Sequence, residues 1–279
     1  MLRPSRIRGR AMTAMTAENG PVAASRSGRE RVSFFGVPVD TLPLDRTIAL
    51  AEAAMAEKRL TRHTALNVAK LVNLRTDKEL ADDVATSDIV GIDGKGIALG
   101  IRLFGGGSHD RVAGVDLFIE LLKHCAATGR RPFILGARQD VLERAIAEAR
   151  RLFPTLEFAG WRNGYFSQDE AGDVVASIRQ SKADCLFVAM PTPHKERFLN
   201  LYAGDLGVPF IMGVGGSVDV LAGHVSRAPV WMQNAGLEWF HRLLKEPRKM
   251  FWRYARTNFA YALLLARAAV TRRNPLRPA

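Results

Sequence analysis

Short apolar runs alternate with amphipathic segments along most of the chain, and this pattern predicts its secondary structure. The apolar runs predict strands at 32–40, 64–66, 89–92, 132–135, 156–159, 185–190 and 209–212. Periodic apolar positions between them predict helices at 44–57, 68–73, 97–103, 115–127, 140–153, 170–181 and 194–202. Regular alternation of this kind predicts an α/β fold: a Rossmann-like, mostly parallel sheet covered by helices on both faces.

The pattern changes after Gly223, where tryptophans lie among basic residues and a new helix is predicted to begin at Pro247. On a helical projection, basic residues share one side of that helix: Lys249, Arg253, Arg256 and Arg267. Mostly aromatic residues lie opposite or on a flank: Phe251, Tyr254, Tyr261, Leu265, Trp252 and Phe259. The pattern fits a helix at a membrane interface, or a helix docked on the sheet with a solvated basic face. Both interpretations stay open at this point.

Charge divides the chain into three parts. The net charge is +12, of which residues 1–32 carry +5 and residues 227–279 carry +9, so that the middle is slightly acidic. We therefore predict a disordered basic leader (1–31), a catalytic core (32–226) and a basic, aromatic helical appendage (227–279) that meets a membrane or closes the active site. A basic end on a near-neutral body indicates an anionic partner, and nucleic acid and anionic lipid both qualify. The slightly acidic middle disfavours nucleic acid.

Neither end of the chain has the pattern of a membrane-crossing or secretory segment. The arginines near the start are not followed by an apolar stretch, and the apolar run at 259–266 is far shorter than the roughly 20 residues that span a bilayer. The two cysteines lie far apart, which suits a reducing compartment. We expect a cytoplasmic chain that is peripheral on the inner face of the cell membrane. Whether it forms a homo-oligomer is left open.

Asp93 is the strongest candidate catalytic residue. It follows the apolar run Ile89–Ile92 and precedes a glycine and a predicted helix, so a buried parallel strand would deliver its carboxylate to the ligand-binding edge of the sheet. A cap of the following helix is the simpler interpretation of Asp93 alone. With an ordinary pKa of about 3.9 the group would be ionised at neutral pH, as a general base must be.

Three further strand ends carry candidate substrate-binding residues. Gly136 ends one strand, at a helix start whose backbone N–H groups suit a phosphate. Gly215 and Asp219 follow another strand, where a glycine admits a ligand and a carboxylate suits a ribose hydroxyl, although a tight turn explains both equally well. Lys195 follows a third strand, and its ammonium group would offset the negative charge of a leaving diphosphate, although a solvated lysine is the common alternative.

Missing patterns narrow the chemistry. The spaced glycines of a dinucleotide site are absent, so no cofactor is predicted, and no tyrosine has a lysine four residues later, which disfavours a nucleotide-sugar epimerase or dehydrogenase. That class and a nucleic-acid-binding protein remain the alternatives. No Asp-x-Asp pair occurs, so no metal site is predicted for a nucleotide-sugar substrate.

Taken in order, several motifs resemble the WecG/TagA/CpsF family of bacterial glycosyltransferases. They are Asn67-Val-Ala-Lys70, Ser87-Asp-Ile-Val-Gly-Ile-Asp-Gly94, Arg111-Val-Ala-Gly-Val-Asp-Leu117, Phe133-Ile-Leu-Gly136, Gly164-Tyr-Phe166, Gly213-Val-Gly-Gly-Ser-Val-Asp219, Arg227-Ala-Pro-Val-Trp231 and Gly236-Leu-Glu-Trp-Phe-His-Arg-Leu243 with Glu246-Pro247-Arg248. The resemblance implies a metal-independent, inverting hexosyltransferase. It would move a sugar from a nucleotide donor, typically UDP-linked, to a polyprenyl-diphosphate-linked saccharide in exopolysaccharide or other cell-surface polysaccharide synthesis.

The same resemblance assigns roles to matching residues. Asp93 matches the catalytic base and Asn67 the asparagine of the pocket, while Tyr165 and Asp219 match positions near the nucleotide. Arginines of the appendage match groups that reach the diphosphate: Arg227, Arg242 and Arg248. Two departures concern donor or acceptor identity, since Ala65 stands where the family often has threonine and Lys195 where it usually has glutamine.

Overall fold

The structure, a computed structural model, describes residues 31–109 and 111–278. Within these residues the strands are β1 (Arg31–Phe34), β2 (Val37–Asp40), β3 (Thr61–Leu66), β4 (Ile89–Ile92), β5 (Pro132–Gly136), β6 (Gly160–Arg162), β7 (Cys185–Ala189), β8 (Phe210–Gly213) and β9 (Leu276–Pro278). They form one sheet in the order β6-β5-β7-β8-β3-β4-β2-β1-β9. Its neighbours pair in parallel from β6 to β2, and only β1 pairs antiparallel, with β2 and with β9. The predicted α/β, mostly parallel sheet is confirmed.

Helices cover both faces of this sheet. They are α1 (Leu44–Ala56), α2 (Val68–Leu74), α3 (Lys78–Ala85), α4 (Lys95–Leu103), α5 (Gly114–Thr128), α6 (Gln139–Leu152), α7 (Ala171–Ser181), α8 (His194–Tyr202), α9 (Ser217–Leu221), α10 (Val230–Ala235), α11 (Glu238–Lys245) and α12 (Pro247–Val270). One face packs against α1, α5, α6 and α9. Elsewhere α7 and α8 pack on β5, β7 and β8, and α2, α3, α4 and α12 pack near β1 to β4. Because both faces are covered, β5 and β7 are apolar along their whole length and every residue in them is buried.

The edges of the sheet differ from the sequence prediction. The single strand predicted at 32–40 is a hairpin, β1 and β2, that turns at Phe35 and Gly36, both with positive φ. The strand predicted at 156–159 was misplaced, because pairing with β5 begins only at Gly160. Strand β9 had no recognisable pattern in the sequence. The leader was predicted to end at residue 31, but Arg31 is the first residue of β1; residues 1–30 lie outside the described part of the chain.

Helix α12 packs on the core, as the docked interpretation requires. The Tyr261 hydroxyl donates a hydrogen bond to the Gly96 carbonyl at 2.7 Å, and its ring fills the space beside Gly100. Tyr261, expected on the aromatic side of an interfacial helix, is therefore buried. The opposite side of α12 is also apolar rather than purely basic, since it exposes Trp252, Phe259, Leu263 and Val270. These four positions follow the helical repeat and form what we call the outer stripe.

No helix in the described ranges combines the length and the apolar character that crossing a lipid bilayer requires. Helix α12 is long enough, at 24 residues, but arginines interrupt its apolar positions.

Candidate functional site

Four neighbouring parallel strands, β7, β8, β3 and β4, end at the same edge of the sheet. Strands β3 and β8 are adjacent there although about 150 residues separate them in the chain. In open α/β sheets such a reversal of strand order creates a crevice at the carboxyl edge, and ligands bind in it. The sequence-predicted residues that follow these four strands are therefore brought to one place.

Asp93 lies directly after β4 and is held by backbone groups. Its own N–H donates to the Leu66 carbonyl at 2.9 Å, and its Oδ1 accepts a hydrogen bond from the Gly114 N–H at 2.9 Å. Burial raises the pKa of Asp93 above its ordinary value, against the lowering effects of the Gly114 hydrogen bond and the charges of Lys70 and Arg242. The expectation of an unshifted pKa was wrong, because the sequence does not show how deeply the carboxyl group lies. The result is a carboxylate of increased basicity, which suits a general base.

Asn67 lies beside Asp93, as the parallel arrangement of β3 and β4 predicts. Its Oδ1 caps α2 by accepting a hydrogen bond from the Lys70 N–H at 3.0 Å. Its side chain also interacts with the Asp93 carboxylate and lowers the pKa of that group. Since the amide oxygen is taken by the cap, the amide N–H₂ is the part of Asn67 that remains for the carboxylate or a substrate hydroxyl.

Lys195 belongs to a buried ionic cluster at the ends of β7 and β8. Its Nζ lies 2.8 Å from Glu196 Oε1, and Lys70 Nζ lies 2.9 Å from the same oxygen. The Lys195 amine also donates to the Thr192 hydroxyl. All three charged side chains are at most 10% exposed. Glu196 and the two lysines form what we call the lysine–glutamate cluster, which carries a surplus positive charge when all three groups are ionised.

The two lysines and the glutamate perturb one another strongly. Burial lowers the pKa of Lys195 to about 8, and the nearby charge of Lys70 adds to this, against the raising effect of Glu196. Burial would raise the pKa of Glu196, but the charges of Lys70 and Lys195 outweigh it and hold the value at about 2. The cluster is therefore an ionised carboxylate shared by two ammonium groups, and an anionic ligand would relieve the repulsion between them.

The glycine turn after β8 leaves space for a ligand. Gly213 packs against the Lys195 side chain, so a Cβ there would lie 3.1 Å from Lys195 Cδ. Gly215 has φ +51°, and no atom lies within 4 Å of the position of a Cβ. Asp219 is half-buried one turn further, where its carbonyl accepts hydrogen bonds from the backbone N–H groups of His224 and Val225.

Gly136 and Tyr165 lie together at the ends of β5 and β6. Gly136 has φ +128°, and a Cβ there would collide with the backbone of Ala189, so close packing already explains this glycine. Gly164 also packs closely against Gly136, since a Cβ at Gly164 would lie 2.9 Å from Gly136 Cα, and the neighbouring Tyr165 side chain is exposed. None of the described hydrogen bonds or ion pairs joins this pair to Asp93.

The three predicted arginines of the appendage occupy different positions. Arg227 pairs with Asp116 at 2.7 Å, near the start of α5. Arg242, on α11, lies close enough to Asp93 for its charge to lower the pKa of that carboxyl group. Arg248 is exposed at the second position of α12, and no described contact links it to the other two.

Sequence reasoning missed Lys70, Glu196 and Glu238 as site residues. The sequence could have identified Lys70, because this lysine lies within the otherwise apolar start of a predicted helix. Lysine is rarely buried without a partner, so a carboxylate beside it could have been expected. Glu238 lies in one of the family-like motifs and Glu196 is adjacent to Lys195, but the local sequence does not link them to Lys70 and Arg111, which are more than 120 residues distant in the chain. Among residues 31–109 and 111–278, no three His, Cys, Asp or Glu side chains are grouped closely enough to hold a metal ion.

Comparisons with known proteins point in one direction. Residues 32–275 match the family described as glycosyl transferase WecG/TagA/CpsF family. A protein of Bacillus subtilis named N-acetylglucosaminyldiphosphoundecaprenol N-acetyl-beta-D-mannosaminyltransferase is 35% identical over 180 residues, which are 64% of this chain and 68% of the relative. The protein of the same name in Bacillus spizizenii is 36% identical over 171 residues, 61% of this chain and 65% of the relative. The similarity thus spans about two thirds of these relatives.

Proposed function

The chain belongs to the WecG/TagA/CpsF family of glycosyltransferases, and we propose that it transfers a hexosyl group from a UDP-linked sugar to a saccharide carried on a polyprenyl diphosphate. The observation that carries the proposal is Asp93, held by a backbone N–H at the crevice and bordered by the cations Lys70 and Arg242. The names of both relatives specify a diphosphoundecaprenol-linked acceptor and an N-acetylmannosaminyl group. For this chain we propose the same acceptor chemistry, in exopolysaccharide or other cell-surface polysaccharide synthesis.

In the proposed mechanism Asp93 takes the proton from an acceptor hydroxyl. The hydroxyl oxygen forms a bond to the anomeric carbon from the face opposite UDP, while the bond from that carbon to the diphosphate oxygen breaks and UDP leaves. The anomeric configuration is inverted by this single displacement. The raised pKa of Asp93 makes it a better proton acceptor than an ordinary aspartate, and Asn67 orients the hydroxyl beside it.

Positively charged side chains take the place of a metal ion at the leaving diphosphate in this proposal. Lys195 lies in the first turn of α8, the helix that follows β7, and Arg227, Arg242 and Arg248 come from the appendage. Positive groups placed where negative charge develops stabilise the transition state, and the planar guanidinium of arginine suits a diphosphate. Gly215 admits the nucleotide, which Tyr165, Asp219 and the turn at Gly136 border.

The first experiment measures UDP release from several UDP-sugars with a short-chain polyprenyl-diphosphate saccharide, with and without EDTA. We expect release that depends on the acceptor, resists EDTA and yields the inverted anomer by NMR. Activity that EDTA abolishes would overturn metal independence, and a retained anomer would overturn direct displacement. Acceptor-dependent release of GDP from a GDP-sugar, with none from UDP-sugars, would overturn the choice of nucleotide.

The appendage is proposed to hold the enzyme at the cytoplasmic face of the membrane, where such acceptors are anchored. The outer stripe offers apolar side chains, and Arg256 and Arg267 lie next to it along the helix. Apolar side chains flanked by arginines suit an anionic lipid surface, where each nearby Lys or Arg contributes about 1 kcal/mol. Residues 227–279 then act as a membrane-binding and site-closing unit on the core.

Substitution within the outer stripe tests this role without disturbing the docked face of α12. We expect the double variant Trp252→Ser/Phe259→Ser to bind phosphatidylglycerol-containing vesicles about 10–100-fold more weakly. Full burial of a large apolar side chain contributes about 1.5–3 kcal/mol, and a helix lying at the interface buries each of the two side chains by about half, so that the pair together contributes about this amount. Vesicle co-sedimentation measures the binding. The matched control is Leu152→Ser/Leu201→Ser, which removes two exposed leucines on α6 and α8. Equal binding by both double variants would contradict the membrane role.

A further inference from the structure

A short loop holds the candidate base in place. Residues 111–114, the base-holding loop, connect to β4 through the Val112 N–H, which donates to the Ile92 carbonyl at 2.9 Å. At the end of the same loop the Gly114 N–H donates to Asp93 Oδ1. The position of the Asp93 carboxylate therefore depends on where this loop lies.

The other anchor of the base-holding loop comes from the appendage. The Arg111 guanidinium donates to Glu238 Oε2, the first residue of α11. Arg227 Nε lies 3.9 Å from the other oxygen of Glu238, and Arg227 also pairs with Asp116, two residues beyond Gly114. Glu238 thus lies between two arginines. Arg111 is part of the base-holding loop, and Arg227 pairs with Asp116 just after it. The side chains of Arg111 and Glu238 are 14% and 26% exposed, so their attraction is only partly screened by solvent.

Helix α11 presents two different faces. Glu238 and Arg242 are one turn apart and share the face toward the base-holding loop and Asp93. Phe240 and Leu244 lie on the other side of the helix and are exposed. One helix therefore joins an outward apolar surface to the loop that holds the base.

We propose that Glu238 is a positioning residue for Asp93 and acts through Arg111 and the base-holding loop. In this role Glu238 contacts Arg111 and touches neither the substrate nor the reacting atoms. Glu238 fixes Arg111, Arg111 fixes the loop, and the Gly114 N–H fixes the carboxylate. The inference depends on the proposed function only in assigning Asp93 as the base, and it makes the docking of α11 a condition for the correct placement of that base.

Replacement of Glu238 by glutamine keeps the shape and removes the charge. We expect kcat to fall about tenfold, with the KM for the donor unchanged, because a misplaced base slows the chemical step rather than binding. The acid limb of the pH–kcat profile should move to lower pH, because looser docking admits water to Asp93 and reduces the burial that raises its pKa. Burial is the largest cause of the raised pKa, so we expect its loss to outweigh the weaker Gly114 hydrogen bond and the more distant charge of Arg242, both of which lower the pKa. Lys70 on α2 is unaffected by the docking of α11.

Controls separate positioning from general damage. Lys245→Gln removes an exposed charge from the same helix and should leave kcat and the pH profile unchanged. Glu238→Asp keeps the charge and should retain more activity than Glu238→Gln. A higher donor KM with unchanged kcat and pH profile in Glu238→Gln would overturn the proposal, since Glu238 would then serve binding.

Hydrogen exchange gives a readout that does not need turnover. The Gly114 amide should exchange faster in Glu238→Gln than in the wild type, while the core amides of β5 and β7 keep their protection. Unchanged Gly114 exchange would overturn the coupling even if the enzyme is active. If the Gly114 amide exchanges faster in Glu238→Gln and the wild type transfers no sugar, the coupling between Glu238 and the loop stands and the proposed function is rejected instead.

Discussion

Replacement of Asp93 by asparagine is expected to lower kcat by about 10²–10⁴-fold, the usual contribution of a positioned general base. Asparagine has nearly the same shape and its amide oxygen can accept the Gly114 hydrogen bond, so the loop should keep its position. What is lost is the ability to take the proton of the acceptor hydroxyl. The donor KM should change little, because the proposed nucleotide contacts lie on other strand ends.

The stability of the same variant provides an independent check. Because burial raises the pKa of Asp93, its ionised form is less favourable in the folded than in the unfolded protein. Stability therefore falls as the pH rises from the ordinary pKa of the carboxyl group through the raised pKa of the folded protein, and it stays lower at higher pH. Asp93→Asn removes this burden, so its free energy of unfolding at pH 7 should equal or exceed that of the wild type. Higher stability with lower activity is typical of a residue retained for function.

The measurements are single-turnover rates with the lipid-linked acceptor, and urea unfolding at pH 7. Asp205→Asn is the matched control, since it removes an exposed carboxylate whose ion-pair partner among the described residues is Arg179, and Asp205 lies before the start of β8, away from the carboxyl edge of the sheet. A near-normal rate in folded Asp93→Asn would exclude Asp93 as the base. A lower stability would contradict the proposed cost of burying its charge.

Much of the fold followed from the apolar pattern because the central strands are buried on both faces. β4, β5, β7 and β8 are short apolar runs, and all four were predicted within one or two residues. The edges failed for a physical reason: β6 and β9 have only three residues each, and their pairing depends on neighbours that the local sequence does not contain. Helix α3 went unpredicted between two correctly predicted elements.

The candidate site was predictable only where topology alone brings residues together. Asn67 and Asp93 follow adjacent parallel strands, so their proximity follows from the fold. The family that the motifs resembled is confirmed by the match over residues 32–275. The lysine–glutamate cluster was not foreseen, because its ion pairs join α2 to α8 and a sequence does not reveal which lysine meets which carboxylate. Helix α12 was unpredictable for a similar reason: it has apolar residues on two sides, and periodicity alone does not tell which of the two packs on the core.

The largest effect on stability is expected from Glu196. Replacement by glutamine would leave Lys70 and Lys195 buried without their shared carboxylate, a loss for which about 3–5 kcal/mol of unfolding free energy is typical. The pH dependence follows from its depressed pKa of about 2. Ionised Glu196 contributes about 3 kcal/mol of stability above pH 4.5, and this contribution is lost as pH falls from 4.5 toward 2. Urea unfolding at pH 7 and pH 3 measures both quantities.

Lys195→Gln provides the matched comparison, because the resemblance to the family places glutamine at this position. The pKa of Lys195 is lowered to about 8, so carrying its proton at pH 7 costs folding free energy, whereas stability should rise as pH increases from about 8 to 10.5. Glutamine removes that cost, and Glu196 keeps its partner Lys70. We therefore expect Lys195→Gln to be more stable than the wild type by about 1–2 kcal/mol at pH 7. The gain is smaller than the lowered pKa of Lys195 alone would give, because the ion pair between Lys195 and Glu196 is lost.

Opposite changes in unfolding free energy, a loss for Glu196→Gln and a gain for Lys195→Gln, would separate the structural role of the cluster from its functional role. Glu196 holds the fold together, while Lys195 adds a charge that the fold does not need. A residue that costs stability beside the crevice is expected to act on a ligand, so Lys195→Gln should raise the donor KM as it stabilises the protein. If Lys195→Gln instead lost stability and kept its donor KM, the lysine would be a structural partner of Glu196, and the surplus positive charge would have no role in donor binding.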